Sequence, residues 1–388
     1  MKRRSFLVGA GSLTALGLVT GCSSTSSQGL KVRLLKDSIP PQLLDEFRKS
    51  LDAIARLDFT AEAQLLDLFK RLEAWQKKST DNDSLLTRFW PFGEQRTPTS
   101  ADLVTLGDYW LDSAIQQGLI QPLDARQLKG WQQLPPQWRE MVRRNNAGEF
   151  DPKGEVWGAP YRWGSTAIAY RRDKFQSSRL QPPTDWSDLW REELRKRISL
   201  LDQPREVIGL TLKKLGLSYN TPNPDKIPQL KNELRALDRQ VKFYSSNAYQ
   251  QPLILGDTWL AVGWSTELLP LKQRYSQIEV IVPKSGTALW ADLWVRPKND
   301  KSKDTPPLVQ QWIDFCWQPN IASQISRFTE AVSPVLVTMK PEQIRDYLKN
   351  NPVLLPPSEI IKRSEFLRPL SPESVKQYQS LWEEISKK

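Results

Sequence analysis

The chain has 388 residues, of which 39% are hydrophobic and 26% charged, and its formal net charge at pH 7 is +11. It contains no histidine, which excludes catalysis, metal binding and pH sensing by imidazole. Lysine and arginine are scattered without a long basic tract, so the positive charge indicates a solvated surface, and nucleic acid is not an expected partner.

The N-terminus has the order of a bacterial export signal. Three cations at positions 2–4 precede an apolar run, residues 6–19, and small residues stand directly before Cys22. A transmembrane anchor is the weaker alternative, because the run is shorter than the roughly 20 apolar residues of a spanning helix and glycines interrupt it. The cysteine context resembles a lipobox, and Arg3-Arg4 resembles a twin-arginine signal, so the export route stays open.

These features predict the beginning of the mature protein. Residues 1–21 are the predicted signal peptide, and their loss lowers the formal charge from +11 to +8. Residues 22–29 are the predicted lipidated cysteine and its flexible tether. Cys316 is then left without a partner, so no intramolecular disulfide is expected. The predicted location is the periplasmic side of the cytoplasmic membrane, where the lipid holds the protein.

The first half of the mature chain alternates short strands with helices. The patterns predict strands over 31–35, 57–60 and 102–106 and, after the prolines at 40–41, a helix between the first two. A polar, proline-containing insertion covers residues 79–100. It either covers a cleft or forms a surface patch, and the surface is favoured.

The same alternation restarts further along the chain. The patterns predict a strand over 167–171, a helix over 186–197 and a second helix that begins at Pro204. The last ninety residues are predicted to be helical. Further strands are predicted at 198–202, 242–245, 259–263, 279–282 and 292–296. The fold class is therefore α/β, with two lobes and a ligand site at their boundary.

The sequence lacks the glycine-rich, nucleophile and metal-ligand motifs of common enzyme classes, so it is predicted not to be an enzyme.

The sequence is unusually rich in tryptophan, with 16 tryptophans compared with 12 phenylalanines and 9 tyrosines. Trp290 and Asp292 are two residues apart, which places them on one face of a strand. Glu206 lies in the first turn of a helix, where the dipole stabilises a carboxylate. Aromatic rings with carboxylates suit an organic cation.

Several segments, in order, resemble the spermidine/putrescine-binding family of periplasmic solute-binding proteins. They include Asp102-Leu-Val104, Pro160-Tyr-Arg-Trp-Gly164, Trp186-Ser-Asp-Leu-Trp190, Leu201-Asp-Gln-Pro-Arg-Glu-Val207, Pro283-Lys-Ser-Gly286 and Trp290-Ala-Asp292. The resemblance implies a type II periplasmic-binding fold, in which two α/β lobes joined by crossover strands close on a solute. It also implies that the protein delivers its solute to the permease of an ABC transporter. No cofactor and no metal are expected.

The resemblance further implies the lobes and the ligand contacts. Lobe 1 is expected to comprise residues 30–160 with 293–388, and lobe 2 residues 161–292. Asp292 falls on the family's principal ammonium partner, and Trp163 lies in the first crossover. Asp202 lies one residue before the position where the family has a second acidic residue. The expected ligand-binding residues are Tyr109, Trp163, Glu206, Trp264, Trp290 and Asp292, with Asp202 and Gln203 as further candidates.

Three positions depart from the family's pattern. Gln203 stands where the family has the second acid, and Leu35 and Ser38 stand where it has aromatic residues. The expected solute is therefore a polyamine-like cation whose identity the sequence leaves open. The alternative is a membrane-tethered protein of the same fold that serves as an assembly or structural partner without binding polyamines.

Overall fold

The computed structural model describes residues 29–52, 54–81, 100–299 and 305–386. The strands are β1 Gly29–Leu35, β2 Arg56–Glu62, β3 Leu103–Gly107, β4 Ile120–Gln121, β5 Arg143–Arg144, β6 Glu155–Val156, β7 Ala159–Arg171, β8 Ile198–Leu200, β9 Val241–Tyr244, β10 Leu260–Trp264, β11 Ile278–Ile281, β12 Ala288–Pro297 and β13 Glu365–Phe366. The helices are α1 Pro41–Lys49, α2 Leu65–Asp81, α3 Leu111–Gln116, α4 Pro136–Met141, α5 Arg172–Ser177, α6 Pro204–Lys214, α7 Leu230–Gln240, α8 Gln250–Leu255, α9 Ser265–Arg274, α10 Pro307–Cys316, α11 Pro319–Thr329, α12 Asp346–Lys349, α13 Ser358–Arg363 and α14 Pro372–Ser386.

One continuous path of strands runs through the described chain. Its order is β2-β1-β3-β12-β7-β10-β8-β9, with β11 beside β7 and with β4 and β13 beside β12. The pairs at the two ends of the path are parallel, whereas β12 runs antiparallel to both β3 and β7. Helices lie between most successive strands along the chain. The predicted α/β class is confirmed.

Strand β7 connects the two halves of this path. Its first half pairs with β12 and its second half with β10 and β11, and all 13 of its residues are buried. Buried apolar side chains form two clusters, one of which is built largely around β8, α6 and α7. This arrangement supports the proposed division into two lobes joined by crossover strands.

The last helix differs from the expected lobe boundaries. Residues 293–388 are assigned to lobe 1 from the sequence, yet α14 packs against α6 and α7. Its side chains Tyr378, Leu381 and Ile385 belong to the cluster formed by those helices. The apolar stripe of a helix predicts that it packs on a core but does not indicate which core.

The structure also tests the predicted elements. The helix that begins at Pro204 is confirmed, and the strand at 31–35 is present within β1. The helix predicted over 186–197 is wrong, because this segment forms two short 3₁₀ turns separated by the extended residue Arg191. A capping box between Asp185 and Asp188 closes the first turn, and local side-chain bonds of this kind compete with a longer helix.

The insertion predicted at 79–100 falls almost entirely on residues 82–99, which lie outside the described residues, as does Cys22. Within the described ranges, no helix combines the length and apolar character needed to cross a membrane.

An aromatic cluster fixes the crossover strands to the helices of the first cluster. Trp294 of β12 stacks on Tyr161 of β7 at 4.3 Å between ring centroids, and it meets Trp312 of α10 edge-on at 5.8 Å. Trp312 in turn contacts Phe47 of α1 at 5.0 Å. Aromatic pairs of this geometry stabilise a core beyond the area that they bury.

Replacing Phe47 tests this cluster. Phe47→Ala is expected to lower the free energy of unfolding by about 3–5 kcal/mol, because a nearly fully buried ring is removed from between two helices. Phe328, which is 57% exposed, provides the matched control, and Phe328→Ala should change stability by less than about 1 kcal/mol. Urea denaturation of both variants measures the difference, and equal midpoints would contradict the proposed role of the cluster.

Candidate ligand-binding site

Three central strands bring candidate residues to one face of the sheet. Alternate residues of a strand share a face, and directly paired residues of antiparallel neighbours lie side by side. On β7 the face carries Arg162, Gly164 and Thr166. The partners in register are Asp292 and Trp290 of β12 and Trp264 of β10. The strand pairing therefore places three of the predicted ligand residues in one row.

Asp292 forms a buried ion pair with Arg162. The Arg162 Nε–H group donates to Asp292 Oδ2 at 2.6 Å, and the side chains are only 9% and 3% exposed. Burial lowers the pKa of Arg162, but the Asp292 carboxylate outweighs it and holds that pKa above its ordinary value. Burial raises the pKa of Asp292, against the attraction of the guanidinium. The carboxylate expected to bind a solute's ammonium group thus already faces a cation of the chain.

Trp290 lies directly over Gly164. A Cβ atom on Gly164 would come within 2.3 Å of Trp290 Cζ2 and 2.7 Å of Ser265 Oγ, so no larger residue fits beneath the ring. The indole is half-buried, and its Nε1–H donor is buried with no hydrogen-bond partner among the described residues. The glycine therefore leaves the space that the indole occupies against β7.

Glu206, the third residue of α6, lies at the other end of the row. Pro204 begins this helix, and Glu206 Oε1 accepts a hydrogen bond from the Thr166 hydroxyl at 3.1 Å. Its second oxygen, Oε2, is buried without a partner in the described chain. Burial raises the pKa of Glu206 to about 7, while Thr166 and Arg205 act in the opposite direction. The side chain is thus a buried carboxyl group that can accept a cation.

Asp108 and Tyr109 follow the carboxyl end of β3. Asp108 Oδ1 accepts the backbone N–H of Ala291 at 3.1 Å, which ties β3 to β12. Burial raises the pKa of Asp108 to about 7, and the nearby Asp292 adds to this increase. Tyr109 is 68% exposed, and its ring packs against Trp110 at 4.6 Å. Tyr109 therefore presents an aromatic surface to solvent beside the row.

A cavity of about 260 Å³ opens beside Asp108. Residues from several parts of the chain line it, among them Arg144, Phe150, Asn220 and Arg368. The guanidinium carbons of Arg144 and Arg368 lie 5.7 and 4.3 Å from the centre of the Phe150 ring. The cavity is thus bordered by both acidic and basic groups. Trp264, Trp290, Asp292 and Glu206 are not among the described residues that line it.

The remaining candidates lie elsewhere. Trp163 occupies the opposite face of β7, where it is 1% exposed and meets Trp138 edge-on at 5.0 Å. Asp202 is exposed, and Gln203 is the half-buried residue that precedes α6. Leu35 packs against the first apolar cluster, and Ser38 is fully buried. The row thus contains Trp264, Trp290 and Asp292, with Glu206 bonded to it, but not Trp163.

Sequence reasoning missed four residues that shape this face: Asp108, Arg162, Gly164 and Thr166. Arg162 and Gly164 belong to a segment that carries the family resemblance. They are two residues apart, and this spacing indicates that they share one face of a strand. Predicting that Arg162 pairs with Asp292 also requires the register between two strands, because the two residues are 130 positions apart in the chain. Among the described residues, no group of three or more cysteine, aspartate or glutamate side chains is placed to hold a metal ion.

The chain is similar to known bacterial proteins over most of its length. The family model described as "Bacterial extracellular solute-binding protein" matches residues 99–364. The spermidine/putrescine-binding periplasmic protein of Escherichia coli K12 is 31% identical over 265 residues, which are 68% of this chain and 72% of that protein. The chain therefore belongs to the family of bacterial extracellular solute-binding proteins.

Two further similarities extend over nearly the whole chain. The spermidine/putrescine-binding periplasmic protein of Salmonella typhimurium LT2 is 26% identical over 360 residues, which are 93% of this chain and 92% of that protein. The crystal structure of a spermidine/putrescine ABC transporter substrate-binding protein from Streptococcus pneumoniae has a TM-score of 0.74 at 21% identity. It covers 92% of this chain and 98% of its own. The predicted periplasmic-binding fold and the family resemblance are confirmed.

The buried carboxyl group of Glu206 predicts a pH-dependent stability. Its pKa is higher in the folded chain than the ordinary 4.5, so the folded state binds this proton more tightly than the unfolded state does. The resulting contribution to the free energy of unfolding is fully present below pH 4.5. That contribution, about 3 kcal/mol, is lost as the pH rises to about 7. Glu206→Gln removes this titration. Without ligand, the variant should gain stability relative to the wild type as the pH rises from 4.5 to 8.

Urea denaturation at several pH values measures the effect. Asp108 titrates in both proteins, so the difference between variant and wild type isolates Glu206. A difference that stays constant across this pH range would contradict the assignment.

Proposed function

We propose that this protein is the solute receptor of an ABC transporter and that it binds a small organic cation between its lobes. The observation that carries the proposal is the buried, unpartnered oxygen of Glu206. A buried acceptor without a partner costs free energy, and a ligand ammonium group would supply both the hydrogen bond and the opposite charge. The curated relatives named for spermidine and putrescine support an amine as the ligand.

The aromatic residues around Glu206 suit the same ligand. Trp264 pairs in register with Thr166, the residue that holds Glu206, and Trp290 is the next side chain along the row. Both rings are half-buried. An ammonium group over an indole face gains about 0.5–2 kcal/mol, and the rings also cover an alkyl chain. Tyr109 completes the proposed set of contacts on the exposed side.

The N-terminal sequence supports a location close to the transporter. In the proposal, residues 1–21 direct export, Cys22 receives lipid, and residues 22–29 tether the body to the cytoplasmic membrane on its periplasmic side. The partner is the permease of an ABC transporter. No contact in the described chain and none of the similar proteins named above favours the alternative of a structural partner that binds no solute.

Titration with amines tests the ligand class. The mature protein, from residue 22 onwards, should show a saturable change in tryptophan fluorescence with at least one amine from a panel of alkylamines, putrescine and spermidine. Glu206→Gln should weaken that binding about 10- to 100-fold, because a charge-assisted hydrogen bond is worth about 1.5–3 kcal/mol. Asp202→Asn, at an exposed carboxylate, serves as the control and should leave the affinity within about threefold. No response to any amine would refute the ligand class.

Replacing Cys22 tests the anchor. The full-length wild type should incorporate radioactive palmitate and lose residues 1–21, whereas Cys22→Ser should incorporate none and should accumulate as the longer precursor. Cys316→Ser is the matched control, because Cys316 is a buried thiol of the folded body. Labelling that persists in Cys22→Ser would exclude the proposed lipid attachment.

A further inference from the structure

We infer that Arg162 acts as a resident cation that fills one ammonium position of the cleft, so that the site selects solutes with a single ammonium group over diamines. The inference rests on the proposed function and specifies its ligand. It starts from the row on β7, which carries the Arg162–Asp292 pair at one end and the Thr166–Glu206 bond at the other. Trp290 lies between them, over Gly164.

The two ends differ in what they can offer a ligand. Arg162 and Thr166 are four residues apart on an extended strand, about 13 Å, which is within the span of an extended polyamine. At the Glu206 end, a buried oxygen has no partner. At the Asp292 end, the carboxylate already accepts a short bond from a guanidinium that is itself nearly fully buried. A second ammonium group would meet the guanidinium, a like charge, at that end.

Displacing Arg162 is not an available route for a diamine. A guanidinium is always charged, and removing it from its carboxylate would leave a buried cation without a counter-charge, which is strongly unfavourable. Tyr161, whose hydroxyl lies beside Arg162, is fully buried and cannot provide a replacement anion, because burial keeps its hydroxyl protonated. The pair therefore stays in place when ligand binds.

The charges around the row leave one negative group to be balanced. Asp292 faces Arg162, and Asp108 lies within the electrostatic influence of the buried Arg144. Glu206 feels the charge of Arg205, but that guanidinium donates to Asn220 and to the backbone of Arg368 rather than to Glu206. One cationic group on the solute balances Glu206, and a second has no free carboxylate in this row.

Two amines of equal length test the inference. 1,8-Diaminooctane is long enough for its two ammonium groups to reach both ends of the row, and 1-aminononane replaces one of these groups with a methyl group. Calorimetry on the mature wild type should show that 1-aminononane binds at least as tightly as 1,8-diaminooctane. In Arg162→Met, which exposes the Asp292 carboxylate to the ligand, the ratio of the two affinities should shift by at least tenfold towards the diamine. The double variant Arg162→Met/Asp292→Asn, which has neither charge, should lose that shift.

A diamine preference of tenfold or more in the wild type, or a ratio that Arg162→Met leaves unchanged, would overturn the inference while leaving the proposed function intact. If neither amine produces heat with any of the three proteins, the proposed function fails, and the inference fails with it. If Arg162→Met is unfolded on its own, its thermal transition is measured with each amine. Recovery with 1,8-diaminooctane but not with 1-aminononane supports the inference, and recovery with neither refutes it.

Discussion

The pairing of β7 with β12 is the constraint on which the rest of the site depends. Its register puts Arg162 opposite Asp292 and Gly164 opposite Trp290. A slip of one residue would turn each of these side chains to the other face of the sheet, where Trp163 now packs. Stacking between Tyr161 and Trp294 helps to hold the two strands at this register.

The proposed site combines one satisfied carboxylate with one unsatisfied carboxyl group. Asp292 is nearly fully buried, but its cation is built into the chain. Glu206 is buried, and its Oε2 has no hydrogen-bond partner in the described chain, which is an unfavourable arrangement. In the proposed function, a ligand cation that bonds to this oxygen would recover the lost free energy, which would appear as affinity.

Local patterns predict much of the fold but only part of the site. Proline at the first turn marks the start of α6, and alternating apolar residues mark β1, because these signals lie within a few residues of each other. Trp290 and Asp292 share a face for the same local reason. The Arg162–Asp292 pair joins residues 130 positions apart, so it depends on a register that no local pattern encodes. The family resemblance identified Asp292 but not its partner.

The shared strand also limits how this protein can be divided. Every residue of β7 is buried, and its two halves belong to different sets of neighbours. Cutting the chain between the lobes would leave one half of β7 with unpaired backbone groups and exposed apolar side chains. Neither half of the strand path therefore keeps its pairing alone, and a chimera with a related protein would have to exchange β7 and β12 together. The proposed ligand contacts on these two strands would be exchanged with them.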